Sequence, residues 1–140
     1  IFSMRNQHIE EVIKPKLSEG IWVLCDRYTD ASVAYQGYGK KISINKIQHL
    51  IDQFTGNLAP DLTIFFDLPH NLAKKRFPKN KIKDRFENLD NNFFNDVYKG
   101  YLKEAAKNKD RIKIVDARAS KENVYSQIIE IIDKKFENIF

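Results

Sequence analysis

Three short apolar runs, each followed at once by an aspartate, constrain the fold of this chain more than any other feature. The runs cover residues 21–25, 62–66 and 112–115, and the aspartates are Asp26, Asp67 and Asp116. Such continuous runs are typical of strands buried on both faces of a parallel sheet. Ligands of parallel α/β sheets bind at the carboxyl ends of the strands. The three aspartates therefore mark candidate positions of a functional site.

Segments with helical spacing of apolar residues separate the three runs. Their alternation with strands predicts an α/β fold, with a parallel sheet and flanking helices. Pro15 should disturb the end of the first helix, and Gly20 and Gly56 suit the positions just past helix ends. The helices are predicted over residues 2–19, 30–36, 44–54, 71–76 and 90–108 and from Ser120 onward.

Composition places the chain among ordinary globular proteins. It has 140 residues, of which 42% are apolar and 31% charged. No apolar run approaches the length of a membrane span, so we expect no membrane partner. The single cysteine, Cys25, cannot form an internal disulfide, and a reducing cytoplasm is the expected location.

Basic residues are concentrated between Lys74 and Arg85 and suggest a phosphate-bearing partner. The formal net charge of the chain is +5. A solvated, lysine-rich surface loop is the alternative explanation. We expect no nucleic-acid partner, because these cations lie in one loop without interleaved exposed aromatic residues. The cluster consists of Lys74, Lys75, Arg76, Lys79, Lys81, Lys83 and Arg85, opposed by Asp84.

The Asp26-Arg27 pair has two explanations when it is considered alone. An arginine at a strand end can grip a phosphate with two hydrogen bonds, and the neighbouring carboxylate can hold a hydrated magnesium ion. A surface ion pair at the end of a strand is the alternative.

The residues that follow resemble the signature of thymidylate kinases. In this chain the signature is Asp26-Arg27-Tyr28-Thr29-Asp30-Ala31-Ser32-Val33-Ala34-Tyr35-Gln36-Gly37. Other similarities occur in family order at Arg5-Asn6-Gln7-His8, Phe66-Asp67-Leu68-Pro69, Asp84-Arg85-Phe86-Glu87, Gly100-Tyr101-Leu102 and Asp116-Ala117. They cover nearly the whole chain and imply the fold of nucleoside monophosphate kinases with a phosphate-binding loop.

The resemblance implies an acceptor site for thymidine monophosphate. Arg27 matches the arginine that holds the phosphate of the acceptor, and Asp26 matches a carboxylate near Mg²⁺. Arg5 matches the arginine that donates to thymine, and Gln36 can both donate to and accept from a pyrimidine edge. Tyr35 matches an aromatic residue against the sugar, for which packing is the alternative role.

Other implied contacts are less complete. Ser32 lies beside the base in the same motif. The aromatic residue that the family stacks on thymine corresponds to Ile1 here, with Phe2 one position away, and Ala31 replaces a common serine.

The resemblance also implies a donor site and a closing lid. Arg76 and Arg85 match catalytic arginines of a lid at about residues 77–86, and positive charge there would stabilise the migrating phosphoryl group. Arg76, Asp116 and Ala117 would contact ATP. A cytoplasmic homodimer that uses ATP, Mg²⁺ and thymidine monophosphate is the implied protein.

The phosphate-binding loop that such an enzyme needs is not matched in these residues. Gly37-Tyr38-Gly39-Lys40-Lys41 is the nearest sequence, but its glycine spacing differs and it has no hydroxyl residue. Residues 1–140 are therefore interpreted as the C-terminal two-thirds of one kinase domain, incomplete at its N-terminus and inactive by itself. The alternatives are a related kinase with another acceptor and a non-catalytic nucleotide-binding remnant.

Overall fold

A computed structural model describes residues 1–76 and 91–137 of the chain. These residues form two compact units, Ile1–Ala59 and Pro60–Phe140. The predicted lid at about residues 77–86, with Arg85, Lys79, Lys81 and Lys83, lies outside the described residues.

The first unit begins with one continuous helical segment. It consists of α1 (Phe2–His8), a π-helical turn (Ile9–Ile13) and α2 (Lys14–Ser18). The wider π turn immediately precedes α2, where Pro15 lacks an amide hydrogen and its ring would crowd the carbonyl four residues earlier. Gly20 has φ +73° and ends α2, as predicted. Its amide donates to Leu17 O, and the amide of Ile21 donates to Lys16 O, which forms a Schellman motif.

The prediction of a buried strand over residues 21–25 is wrong for this structure. The segment forms no ladder, and Trp22 and Leu24 are 55% and 96% exposed. A strand is formed only when its backbone makes hydrogen bonds to a neighbouring strand. The described residues of this unit include no strand that could pair with residues 21–25. An apolar run therefore remains irregular here, although its composition favours a strand.

Two further helical segments complete the first unit, one over residues 29–39 and the other over residues 44–55. The α3 helix (Thr29–Ser32) runs directly into a π-helical segment (Val33–Gly39). The helix predicted over residues 30–36 is longer than expected, because it continues through Gly37 and Gly39. Gly37 is buried beside Ile44 and Ile47, where a Cβ atom would overlap the Ile44 side chain. The absence of a side chain is what permits this close approach.

The α4 helix (Ile44–Thr55) ends as predicted at Gly56, whose φ is +57°. Ser43 occupies the N-cap position without forming a side-chain cap hydrogen bond. Ile47 and Ile51 are buried against Val33, and this cluster joins α4 to the π-helical segment. A second cluster is formed by Ile9, Ile13 and Tyr28, with Val23 and Leu58 packed against it.

A parallel pair of strands organises the second unit. The strands are β1 (Thr63–Asp67) and β2 (Ile112–Asp116), and Thr63 pairs with Ile112 and Asp67 with Asp116. Val115 is fully buried, whereas Phe66 and Ile114 are 52% and 49% exposed. Both strands were predicted within one residue, but exposed side chains on both faces make the pair more open than a fully buried sheet.

Three helices flank this sheet. They are α5 (His70–Lys75), α6 (Asn91–Lys107) and α7 (Lys121–Phe136), and α6 and α7 both pack against β2. The rings of His70 and Phe94 stack with centroids 4.2 Å apart and join α5 to α6. The predicted α/β class, with a parallel sheet and flanking helices, is confirmed.

Ser120 caps α7, and its removal should destabilise the protein. Its hydroxyl accepts a hydrogen bond from the Asn123 amide at 3.3 Å. We expect Ser120→Ala to lower the free energy of unfolding by about 1 kcal/mol, since the amide loses its partner. Ser126→Ala, which changes an exposed serine within α7, is the matched control and should change it by less than about 0.5 kcal/mol. Denaturant titration measures both, and equal effects would contradict the capping role.

Candidate functional site

The Asp26-Arg27 pair lies in an irregular, exposed segment of the first unit. Arg27 has φ +65°, a left-handed conformation that costs a non-glycine residue about 1–3 kcal/mol and is concentrated at functional sites. Its guanidinium lies over the Tyr35 ring, 5.2 Å from the centroid. The structure thus brings together two residues that the sequence assigned to one substrate.

Arg5 occupies a partly buried position close to two aromatic rings. Its guanidinium carbon is 5.8 Å from the centroid of Phe2 and 5.4 Å from that of Tyr28. Two of its five N–H donors are used within the protein, one to Ser32 Oγ at 3.0 Å and one to Tyr28 O at 3.2 Å. Burial lowers the pKa of Arg5. The contacts fix the guanidinium plane and leave three donors without a described protein acceptor.

The Phe2 side chain forms part of the Arg5 environment. The Phe2 ring packs against Phe54, with centroids 6.2 Å apart, as well as against Arg5. Ile1, which corresponds to the family's stacking position, is 70% exposed. Phe2 therefore supports the guanidinium.

Gln36 presents an unsatisfied acceptor. Its Oε1 atom is buried and has no hydrogen-bond partner among the described residues. Ser32, which is 2% exposed, precedes it by four residues in continuous helical structure, so the two side chains share a face. Because nearly all buried polar atoms are paired, an orphaned acceptor favours a ligand that donates a hydrogen bond.

The second candidate region is the carboxyl end of the β1–β2 pair. Asp67 and Asp116 are partners in the strand register, so two carboxylates stand side by side. Arg118 neutralises Asp116 through a fork, with Nε 2.8 Å from Oδ1 and an Nη 3.0 Å from Oδ2. The hydrogen bonds from the Arg118 side chain and from its amide lower the pKa of Asp116.

The Asp67 carboxylate has a different partner. The hydroxyl of Tyr98 in α6 donates to Asp67 Oδ1 at 2.6 Å. This hydrogen bond, with contributions from burial and the charge of Asp67, raises the pKa of Tyr98 to about 12. The Asp67 carbonyl also accepts from the amide of Ala117, which is buried.

Backbone and side-chain contacts hold residues 116–119 in a tight turn. The Ala119 amide donates to Asp116 O at 3.4 Å, and Gln127 Oε1 accepts from the Asp116 amide at 2.9 Å. An Nη of Arg76 donates to Arg118 O at 3.4 Å. Arg76, Asp116 and Ala117, three predicted cofactor-binding residues, therefore lie together within the second unit.

Three residues of this region were missed by sequence reasoning. They are Tyr98, Arg118 and Gln127. The Asp-x-Arg spacing at residues 116–118 was a usable signal for a local ion pair. No local signal identifies Tyr98, because its partner lies 31 residues away.

Among residues 1–76 and 91–137, no group of three or more histidine, cysteine, aspartate or glutamate side chains could hold a metal ion. Mg²⁺ commonly retains several waters and uses only one or two carboxylates together with substrate phosphates. The exposed Asp26 carboxylate fits that water-mediated role and not an all-protein cage. Within the same ranges, no helix is both long and apolar enough to cross a membrane.

Comparison with known proteins gives concordant matches. A sequence model of the family described as thymidylate kinase matches residues 1–128. The thymidylate kinase of Nitrosomonas europaea is 38% identical over 133 residues, which are 95% of this chain and 62% of that protein. That of Mycoplasma capricolum is 39% identical over 95% of this chain and 63% of its own length. That of Vesicomyosocius okutanii is 41% identical over 94% of this chain and 64% of its own length. The chain spans less than two thirds of the length of these curated relatives.

The Tyr98–Asp67 hydrogen bond should make stability depend on alkaline pH. Because the folded-state pKa of about 12 lies above the ordinary value of 10.0, the folded state favours the protonated phenol. The resulting stabilisation is complete below pH 10 and is lost as pH rises through about 12. We expect the difference in unfolding free energy between the unmodified protein and Tyr98→Phe to shrink over that interval.

Denaturant titrations at a series of pH values measure this difference. Tyr125→Phe, which removes a hydroxyl from a side chain that is 65% exposed on α7, is the matched control. A difference for Tyr98→Phe that stays constant across the interval would contradict the hydrogen bond.

Proposed function

Because the chain belongs to the thymidylate kinase family, we propose that the full-length protein transfers the γ-phosphoryl group of ATP to thymidine monophosphate. The products are thymidine diphosphate and ADP, and the reaction serves the synthesis of thymidine triphosphate. Residues of the first unit would bind the acceptor, and residues of the second unit would bind the donor.

The setting of Arg5 is the observation that carries the proposal. Thymine presents a carbonyl acceptor at O4 next to an N–H donor at N3. Arg5 is a fixed cation with three unused donors, and Gln36 Oε1 is a buried acceptor in need of a donor. This combination of one donor and one acceptor has the polarity required by that edge of the base.

Arg27 and Tyr35 supply the next part of the acceptor site. An arginine can grip two oxygens of a phosphate monoester, and its position over an aromatic ring restricts its orientation. Asp26, adjacent in sequence, would hold Mg²⁺ through water. When bound, the ion would neutralise charge that develops on the phosphate oxygens. The role proposed for Tyr35 is to lie against the sugar.

The turn at residues 116–119 would receive the base of ATP. Its backbone is held by Gln127 and Arg118, and Arg76 reaches it from the end of α5. Arg76 would thus contact the donor nucleotide and support the phosphoryl group during transfer. Arg85 is proposed for the same charge-stabilising role and lies outside the described residues.

We also propose that the protein is a cytoplasmic homodimer. Exposed apolar side chains of the first helical segment support this assembly. Met4, Val12 and Leu17 are 74%, 44% and 42% exposed in this chain.

An acceptor panel tests the proposed activity in the full-length protein. With ATP and Mg²⁺, we expect kcat/KM for thymidine monophosphate to exceed that for cytidine and adenosine monophosphates by roughly a hundredfold or more, because a site built on hydrogen bonds rejects mispaired groups strongly. A preference for another monophosphate would favour a related kinase. Absence of turnover with every acceptor would favour a nucleotide-binding protein without catalysis.

Arg27→Ala in the full-length protein tests the phosphate grip. We expect kcat/KM to fall by about a hundredfold or more, because both binding and alignment of the acceptor are lost. Lys16→Ala, which removes a cation from an exposed ion pair in α2, is the control and should change little. Near-normal efficiency of Arg27→Ala would reassign Arg27 to a structural role.

A further inference from the structure

Two adjacent carboxylates and one nearby guanidinium create a competition at the end of the β1–β2 pair. Asp67 and Asp116 are register partners, so their side chains project from the same face of the sheet. Arg118 binds Asp116, yet the charge of Asp67 also acts on it and contributes to its raised pKa. Asp67 would therefore attract Arg118 if nothing else satisfied its carboxylate.

Tyr98 supplies Asp67 with a hydrogen-bond partner of its own. Its hydroxyl lies 2.6 Å from Asp67 Oδ1, the short distance of a charge-assisted hydrogen bond. The Tyr98 ring is 6.3 Å from Phe65 of β1, so packing within the unit also fixes its orientation. Asp67 is thus satisfied by a neutral donor, and Arg118 remains with Asp116.

The conformation of the turn at residues 116–119 depends on this division of partners. Arg118 holds Asp116 with its side chain and also donates its amide to Asp116 Oδ1 at 3.0 Å. The carbonyl of Arg118 faces Arg76. Rotation of Arg118 toward Asp67 would break the fork and change how this carbonyl and the following Ala119 are presented.

We propose that Tyr98 is a positioning residue for the donor nucleotide, acting by occupying Asp67 and so keeping Arg118 paired with Asp116. The ligand class is a purine nucleoside triphosphate, whose base meets the turn at residues 116–119. This inference rests on the proposed function, because it requires that turn to contact ATP. It assigns a role in donor affinity to a side chain that need not touch the nucleotide.

Tyr98→Phe in the full-length protein is the central test. The substitution keeps the ring and removes the hydroxyl, so Asp67 becomes free to draw Arg118 away. We expect the KM for ATP to rise about five- to tenfold, the effect of losing one hydrogen bond of ordinary net strength. KM for thymidine monophosphate should change by less than about twofold, because the affected contacts lie on the donor side. Equal increases in both KM values, or none, would overturn the proposal.

A second substitution separates positioning from packing. Asp67→Asn removes the competing charge, so Tyr98→Phe should have little additional effect on KM for ATP in that background. If the loss persists in the double variant, Tyr98 acts through packing and the proposal is wrong. Loss of turnover in Asp67→Asn alone would also overturn it, because Asp67 would then take part in the reaction. Tyr125→Phe again controls for removal of a tyrosine hydroxyl.

A measurement without nucleotide distinguishes this inference from the proposed function. The Arg118 Nε–H signal in a ¹⁵N NMR spectrum reports the Asp116 fork directly. We expect faster solvent exchange of this proton in Tyr98→Phe and recovery of the original rate in the double variant. An unchanged signal in Tyr98→Phe would overturn the inference even in an active kinase. Failure of the unmodified protein to phosphorylate thymidine monophosphate would contradict the proposed function, whereas the NMR comparison would still test the Tyr98–Asp67–Arg118 linkage.

Discussion

The parallel pairing of β1 with β2 determines where the polar groups of the second unit lie. Parallel strands end at the same edge, and the register places Asp67 beside Asp116. Two neighbouring carboxylates repel each other unless each has a partner. The chain supplies a neutral phenol to one and a guanidinium to the other. The backbone carbonyl of Arg118, in the same turn, also accepts a hydrogen bond from Arg76.

The first unit resolves a different physical problem, the partial burial of a cation. Burial disfavours the charge of Arg5, but the faces of two aromatic rings and two oxygen acceptors offset that cost. Ser32 contributes one of these acceptors from a nearly inaccessible position. A guanidinium held by two aromatic rings and two hydrogen bonds can direct its other donors with little loss of side-chain entropy on binding.

The sequence predicted helices better than it predicted strands, and the cause is physical. The α4 helix and the Schellman motif at Gly20 depend on contacts within a few residues, so local patterns suffice. Residues 21–25 have the composition of a strand, but a strand needs a partner that composition cannot supply. The continuation of the helix through Gly37 was missed because this glycine lacks a side chain for the sake of close packing against Ile44 and does not end the helix.

The same distinction applies to the candidate sites. Arg5, Arg27 and Gln36 were found because a motif places them, although the motif could not reveal the ring contacts or the orphaned Oε1. Tyr98 could not be found, since its role depends on a partner 31 residues away across packed elements.

The two candidate sites also differ in how completely the protein satisfies its own polar groups. At the proposed donor turn, the carboxylates of Asp67 and Asp116 already have partners, so a nucleotide would meet a surface whose shape is fixed beforehand. At the proposed acceptor site, Gln36 Oε1 has no donor among the described residues, and a ligand that supplies one would remove a desolvation penalty. A ligand without that donor leaves the penalty in place. Under the proposed function, selectivity for the acceptor would therefore arise from an unmet hydrogen bond, whereas affinity for the donor would arise from preorganisation.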